Sequence, residues 1–127
     1  GISKEDAGLL WQKDLKERFT AKSLDPFIER YNIKLTQNQY DALVLFTYNV
    51  GEYVWQRDFN LKRMLINGNY TADDIIEGFL GWTTTGDNSG RTWQSGGLYR
   101  RRMDEANMFN NGIYERNETR PIPVGYE

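Results

Sequence analysis

Residues 36–51, Thr-Gln-Asn-Gln-Tyr-Asp-Ala-Leu-Val-Leu-Phe-Thr-Tyr-Asn-Val-Gly, carry the strongest helix signal of the chain. Thr36 and Gln39 form a Thr-x-x-Gln capping box, which satisfies free backbone N–H groups at a helix start. The residues that follow are apolar on nearly every side of the helix, which is typical of a helix in the middle of a core. The helix is predicted to run to about Val50, with Gly51 as a left-handed stop.

Two helices are predicted before this central one. Ser3 can cap the first, whose apolar side chains recur at helical spacing at Leu10, Trp11, Leu15 and Phe19. Asp25-Pro26 begins the second, because proline suits the first position of a helix.

More helices are predicted after it. Asp58 can cap one that ends at Asn67-Gly68, and Thr71 with Asp74 can cap the next, which reaches Trp82. Residues 83–97 are rich in Thr, Gly, Ser and Asn, so they predict a loop, with a turn at residues 86–90. Gly97-Leu98 leads into the last helix, which ends near Asn110.

The predicted fold is all-α, with five to six helices packed around one buried central helix. Residues 1–114 are expected to form the helical domain. Residues 115–127, with Pro121 and Pro123, are expected to form an extended C-terminal tail.

Composition excludes several kinds of chemistry. The 127 residues include no cysteine and no histidine, which removes thiolate zinc sites, cysteine nucleophiles and Ser-His catalysis. A formal charge of −2 argues against a dedicated nucleic-acid binder. No apolar run approaches the roughly 20 residues that span a bilayer. We expect no cofactor or metal, no nucleic-acid partner and no membrane partner.

Hydrolysis by this composition would have to use carboxylates, hydroxyls or lysine. A glycosidase needs two carboxyl groups facing each other across a cleft, one with a raised pKa. The 18 acidic residues always offer such a pair on paper, and the sequence singles out none. Several lie on predicted helices that can display them to water, namely Glu5, Glu17, Glu29 and Glu77.

Tyr48 and Asn49 lie at the end of the central helix, where side chains can emerge into a cleft. An aromatic ring beside an amide can bind sugar, because the ring stacks on the sugar face and the amide bonds its polar groups. A capping Asn beside a half-buried Tyr explains the pattern equally simply, and pattern alone favours it. The other aromatic residues at helical spacing are expected in the core, namely Trp11, Tyr40, Phe46, Phe79 and Trp82.

Arg100-Arg101-Arg102 is the basic cluster of the sequence. Sequence neighbours on a helix point about 100° apart, so the three cannot share one face. The i,i+4 spacing predicts ion pairs of Arg100 with Asp104 and of Arg101 with Glu105. Three arginines at a helix N-terminus oppose the helix dipole, which leaves room for an acidic or hydroxyl-rich partner.

Three segments in this order resemble the phage-type lysozymes, the muralytic endolysin family. They are Gly1 to Leu15, Leu35 to Gly51, and Phe79-Leu80-Gly81-Trp82 followed by Gly97 to Arg102 with Glu105. The second and third are specific in combination, and the resemblance covers about residues 1–114.

The resemblance implies a two-lobed hydrolase that cleaves the β-1,4 bond between N-acetylmuramic acid and N-acetylglucosamine in peptidoglycan. In the family, the catalytic glutamate and a Thr-x-Gly-x-Gly-His element come before the segment that matches Gly1-Ile2-Ser3. Without a histidine, this chain lacks that element. It is therefore expected to be the C-terminal, substrate-cleft lobe, with no catalytic residue of its own, inactive alone, and partnered by peptidoglycan glycan strands and a missing N-terminal catalytic lobe. The alternative is a non-catalytic peptidoglycan-binding or structural lysozyme-like domain.

The resemblance also assigns residue roles. Tyr48 and Asn49 match cleft positions, and Arg101 matches a basic position near the peptide-bearing side of the substrate. Trp82, Gly51 and Glu105 match structural positions. Such a protein is expected to be made in the bacterial cytoplasm and to act at the cell wall, and Gly1 to Glu5 show no signal-peptide core.

Overall fold

The computed structural model describes residues 23–127, which form a mostly helical domain with one small hairpin. The elements follow in the order α1 (Asp25–Arg30), α2 (Gln37–Val50), a 3₁₀ turn (Val54–Gln56), α3 (Asn60–Asn67), α4 (Ala72–Leu80), β1 (Thr84–Gly86), β2 (Thr92–Gln94) and α5 (Gly96–Asn111). This confirms the helical fold class. The helix predicted from Ser3, with Trp11, lies outside the described residues.

Helix α2 is the centre of the core, as its sequence predicts. The Thr36 hydroxyl accepts from the Gln39 backbone N–H, and the Gln39 side chain accepts from the Thr36 N–H at 2.9 Å, which confirms the capping box. Residues 42–46 are all buried, with relative exposures from 0% to 6%. The helix packs along α5.

Gly51 ends α2 in a conformation that differs from the predicted one. Its φ of 117° is positive, which favours glycine, but its ψ of 144° lies outside the left-handed helical region. The chain therefore leaves α2 in an extended direction, and the prediction of a left-handed cap is wrong. Gly68 does adopt the left-handed conformation at the end of α3.

The predicted cap is wrong at the start of α3 and confirmed at the start of α4. Phe59 is the residue before α3, and the Asp58 carboxylate pairs with Arg63 at 2.5 Å and does not cap the helix. Thr71 and Asp74 form the predicted capping box at α4. Helix α4 ends at Leu80, two residues before the predicted limit.

The predicted loop contains an antiparallel hairpin in which Thr85 lies opposite Trp93. Each strand has three residues, too few for an alternating pattern to be visible in the sequence. The connection is the predicted turn, with the Asp87 carboxylate accepting from the Ser89 N–H at 2.9 Å.

The segment from Ile113 to Glu127, called here the C-terminal segment, has no regular secondary structure and packs back along α5. Asp104 on α5 pairs with Arg120 at 3.3 Å, and Glu127 pairs with Arg91 of the hairpin at 2.8 Å. The segment therefore joins the middle of α5 to the hairpin side of the domain.

Aromatic rings fill the centre of the domain around Phe46. Its ring centroid lies 5.4 Å from that of Phe79 and 5.9 Å from those of Trp55 and Trp82. Phe46 and Phe79 are fully buried, as predicted, and Tyr40 and Trp82 pack against the core half-buried. Among residues 23–127, no helix has the length and apolar character needed to cross a membrane.

Candidate functional site

The end of α2 meets the middle of α5 through a hydrogen bond between side chains. Asn49 Nδ2 donates to Glu105 Oε2 at 2.7 Å. Asn49 is half-buried, whereas Glu105 is completely buried. Asn49, to which the family resemblance assigns a cleft position, is therefore held by Glu105, to which the resemblance assigns a structural role.

Glu105 is in turn bound by Arg102. Arg102 Nε donates to Glu105 Oε1 at 2.7 Å, and its Nη2 donates to Oε2 at 2.9 Å. The two side chains are 2% and 0% exposed. Arg102 also donates to the Trp82 carbonyl at 3.3 Å, and its guanidinium lies 5.6 Å from the centroid of the Phe46 ring.

This arrangement corrects the ion pairs predicted from i,i+4 spacing. Glu105 pairs with Arg102 at i,i+3 and not with Arg101, and Asp104 pairs with Arg120. Arg100 donates through Nε to the Arg120 carbonyl at 2.8 Å. Both spacings bring helix side chains together, and the choice follows from position 102 facing the core while position 101 faces solvent.

The buried carboxylate is fully engaged. Burial raises the pKa of Glu105, while the charge of Arg102 and the hydrogen bonds from Arg102 and Asn49 act in the opposite direction. Both oxygens accept hydrogen bonds from Arg102 and the side chain is completely buried, so the carboxylate is not exposed to accept a proton from a substrate. Glu105 therefore organises the site.

Asn49 and Arg101 line one small cavity at the surface between α2, α5 and the C-terminal segment. Its volume of about 20 Å³ suffices for a single water molecule. The other lining residues are Leu45, Asp104, Met108, Tyr114, Glu115 and Arg116. The structure thus brings Asn49 and Arg101 together, while Tyr48, which is 42% exposed, does not line the cavity.

Glu115 and Arg116 also line this cavity, although no sequence pattern singles them out. They lie in the segment interpreted as an extended tail, and no local signal shows that this segment returns to α5. The anchoring contact is a hydrogen bond from the Tyr114 hydroxyl to the Asp41 carboxylate, across 73 residues.

A wider cleft of about 390 Å³ opens between α3 and α4, with Trp82 at one end. Arg57 lies over the Trp82 ring, 5.4 Å from its centroid. Trp82 also packs edge-on against Phe46 and Phe59. Its ring therefore contributes to the core and borders this cleft at the same time.

Comparison with known proteins identifies the family of this molecule. The phage lysozyme family model matches residues 1–105, so the chain belongs to the phage lysozyme family. This confirms the resemblance that the three sequence segments carry.

The relatives give the scale of the match. An endolysin of Bacillus phage PZA is 39% identical over 80 residues, which cover 63% of this chain and 28% of that protein. An endolysin from Escherichia coli O157:H7 phage FAHEc1 aligns with a TM-score of 0.58 and 26% identity, over 86% of this chain and 69% of that one. The muramidase domain of SpmX from Asticaccaulis excentricus aligns with a TM-score of 0.54 and 31% identity, over 68% of this chain and 58% of that one. The chain thus spans little more than a quarter of the curated endolysin that it matches.

Proposed function

We propose that this chain forms the helical wall of a peptidoglycan-cleaving site. The intact site would hydrolyse the β-1,4 bond between N-acetylmuramic acid and N-acetylglucosamine. The observation that carries the proposal is the amide of Asn49, fixed by the buried Glu105–Arg102 pair at the end of the central helix of a phage lysozyme family member.

The proposed glycan contacts divide among three residues. The exposed ring of Tyr48 would stack on a sugar face, and the amide of Asn49 would bond its hydroxyl or acetamido groups. Arg101, which shares a cavity with Asn49, would bind on the peptide-bearing side of the substrate, where carboxylates suit a guanidinium.

We further propose that the general acid comes from outside these 127 residues. Glycoside hydrolysis needs a carboxylic acid able to protonate the leaving oxygen, with a second carboxylate across the cleft. In the family that the chain resembles, this acid precedes the segment that matches Gly1-Ile2-Ser3. The buried Glu105 does not replace it, because Arg102 and Asn49 occupy both of its oxygens. The proposal is that the chain alone binds cell walls without cleaving them.

Two measurements on purified chain test this proposal. Retention on insoluble peptidoglycan should fall at least threefold for Tyr48→Ala and for Asn49→Ala, and should not change for Tyr31→Ala. Tyr31 is a fair control because it is similarly exposed, at 38%, and lies at the end of α1. Turbidity of a wall suspension should stay constant with the chain alone. Clearing of the suspension by the chain alone would contradict the proposal that the general acid comes from outside it. A wild-type chain that is not retained on peptidoglycan would contradict the proposal that it binds glycan.

A non-catalytic wall-binding domain is the second candidate, and the engaged state of Glu105 favours it. The two candidates separate in a hybrid that adds the unaligned part of the FAHEc1 phage endolysin to this chain. Clearing by the hybrid, with loss of clearing in Asn49→Ala, supports the hydrolase lobe. Wall retention without clearing supports the binding domain.

A further inference from the structure

We propose that Glu105, locked by Arg102, is a positioning residue that makes Asn49 present its carbonyl oxygen to a ligand. The site would then select a hydrogen-bond donor, and we assign this donor as the acetamido N–H of an N-acetylated amino sugar. The inference rests on the proposed glycan-binding function and specifies which atom of the sugar is recognised.

The chemistry of the pair fixes the orientation of the amide. An ionised carboxylate can only accept hydrogen bonds, so the atom of Asn49 that faces Glu105 must be the NH₂ group. Rotation of the amide by half a turn would put two oxygens face to face. Among residues 23–127, Asn49 Oδ1 has no hydrogen-bond partner, and the side chain borders the cavity that Arg101 also lines. The outward-facing atom is therefore an acceptor.

Glu105 itself cannot turn. Arg102 binds both carboxylate oxygens in a fork, and Arg102 is held by the Trp82 carbonyl and the face of Phe46. Stability alone does not account for this arrangement, because an apolar pair of similar shape is often as stable as a buried ion pair. The ion pair supplies an acceptor that fixes the amide of Asn49, and an apolar pair could not supply one.

Removing the buried ion pair as a whole should release the amide. Arg102→Met/Glu105→Leu takes away the only acceptor that Asn49 Nδ2 faces among residues 23–127, and it removes both buried charges at once. The Asn49 amide is then free to turn either its oxygen or its NH₂ outward. The site would change from presenting an acceptor to presenting either group.

Thioacetyl sugars report this change. A thioamide N–H is a stronger donor than an amide N–H, and its sulfur is a weaker acceptor than oxygen. We would titrate the 127-residue chain with the tetramer of N-acetylglucosamine and with its N-thioacetyl analogue. The measured quantity is the ratio of the two dissociation constants. This ratio should shift against the thioacetyl sugar by roughly threefold to tenfold in Arg102→Met/Glu105→Leu, about one hydrogen bond. Glu118→Gln, which changes a 75% exposed carboxylate, is the control and should keep the wild-type ratio.

An equal ratio in wild-type protein and Arg102→Met/Glu105→Leu would overturn the inference. If this double variant does not fold, NMR of the wild type without ligand decides by itself. The side-chain NH₂ protons of Asn49, followed by NMR without ligand, should exchange slowly in the wild type and fast in the double variant. Fast exchange in the wild type would overturn the anchoring. Slow exchange together with no affinity for either sugar would instead contradict the proposed function, and with it the selection of a sugar donor.

Discussion

The Tyr114 hydroxyl donates a hydrogen bond to the carboxylate of Asp41, which joins the start of the C-terminal segment to the first turns of the central helix. Asp41 is buried and also accepts from Gln37 Nε2 at 2.8 Å. The contact closes the edge of the cavity that Asn49 and Arg101 line, because Tyr114 is one of its walls.

This contact predicts a loss of stability at alkaline pH. Burial, and then the bond to Asp41, raise the pKa of Tyr114 above its ordinary value. A phenol in the unfolded chain loses its proton near pH 10, while Tyr114 in the folded protein keeps it to higher pH. The contribution of Tyr114 is thus complete below about pH 10 and is lost as the pH rises toward the folded pKa.

Urea unfolding between pH 8 and pH 11.5 checks this prediction. The free energy of unfolding should fall less steeply above pH 10 in Tyr114→Phe than in the wild type. At pH 8 the variant should be less stable by about 1 kcal/mol, because Asp41 loses a donor. Parallel curves above pH 10 would show that Tyr114 is not the responsible group.

The Glu105–Arg102 pair predicts opposite results for single and double replacement. Glu105→Ala leaves a buried guanidinium without its charge partner and should destabilise the fold by about 3–5 kcal/mol. Arg102→Met/Glu105→Leu removes both charges. Its free energy of unfolding should lie within about 1.5 kcal/mol of that of the wild type. Thermal unfolding of the three proteins measures this difference, and equal losses in both variants would contradict it.

Trp55 predicts a smaller coupling inside the core. Its indole N–H donates to Thr47 Oγ1 at 2.8 Å, while the Thr47 hydroxyl donates to the Leu43 carbonyl at 2.6 Å. Thr47→Val should cost about 1–3 kcal/mol, because the indole N–H is left buried without an acceptor. In a double-mutant cycle with Trp55→Phe, the two losses should add up to more than the loss in the double variant.

Gly51 predicts a backbone effect that side-chain contacts do not explain. Its φ of 117° suits glycine, and a β-carbon there would meet no neighbour within 4 Å. Gly51→Ala should therefore destabilise the protein by about 1–3 kcal/mol through strain alone. Gly97, in the first turn of α5, does not have a positive φ. Gly97→Ala should therefore leave the stability of the protein unchanged or raise it. Equal stabilities of the two variants, measured by chemical denaturation, would be evidence against strain at Gly51.

Local patterns predicted the helical elements well. The capping boxes at Thr36 and Thr71 and the glycine stop at Gly68 were visible because each depends on residues within four positions. The cap at Asp58 failed, because Arg63 offers that carboxylate a stronger, charged partner. The roles given to Tyr48, Asn49 and Arg101 came from family resemblance and stay predictions.

The sequence by itself determined the central helix and its buried faces, because spacing and capping are short-range properties of the chain, and its three motif segments carried the resemblance to the family. Only the tertiary structure decided that Arg102, and not Arg101, binds Glu105, and that the C-terminal segment returns to wall the cavity beside Asn49. The physical reason is that burial selects among pairings that spacing leaves equal. Burial depends on which faces of α2 and α5 meet, and residues far apart in sequence set that contact.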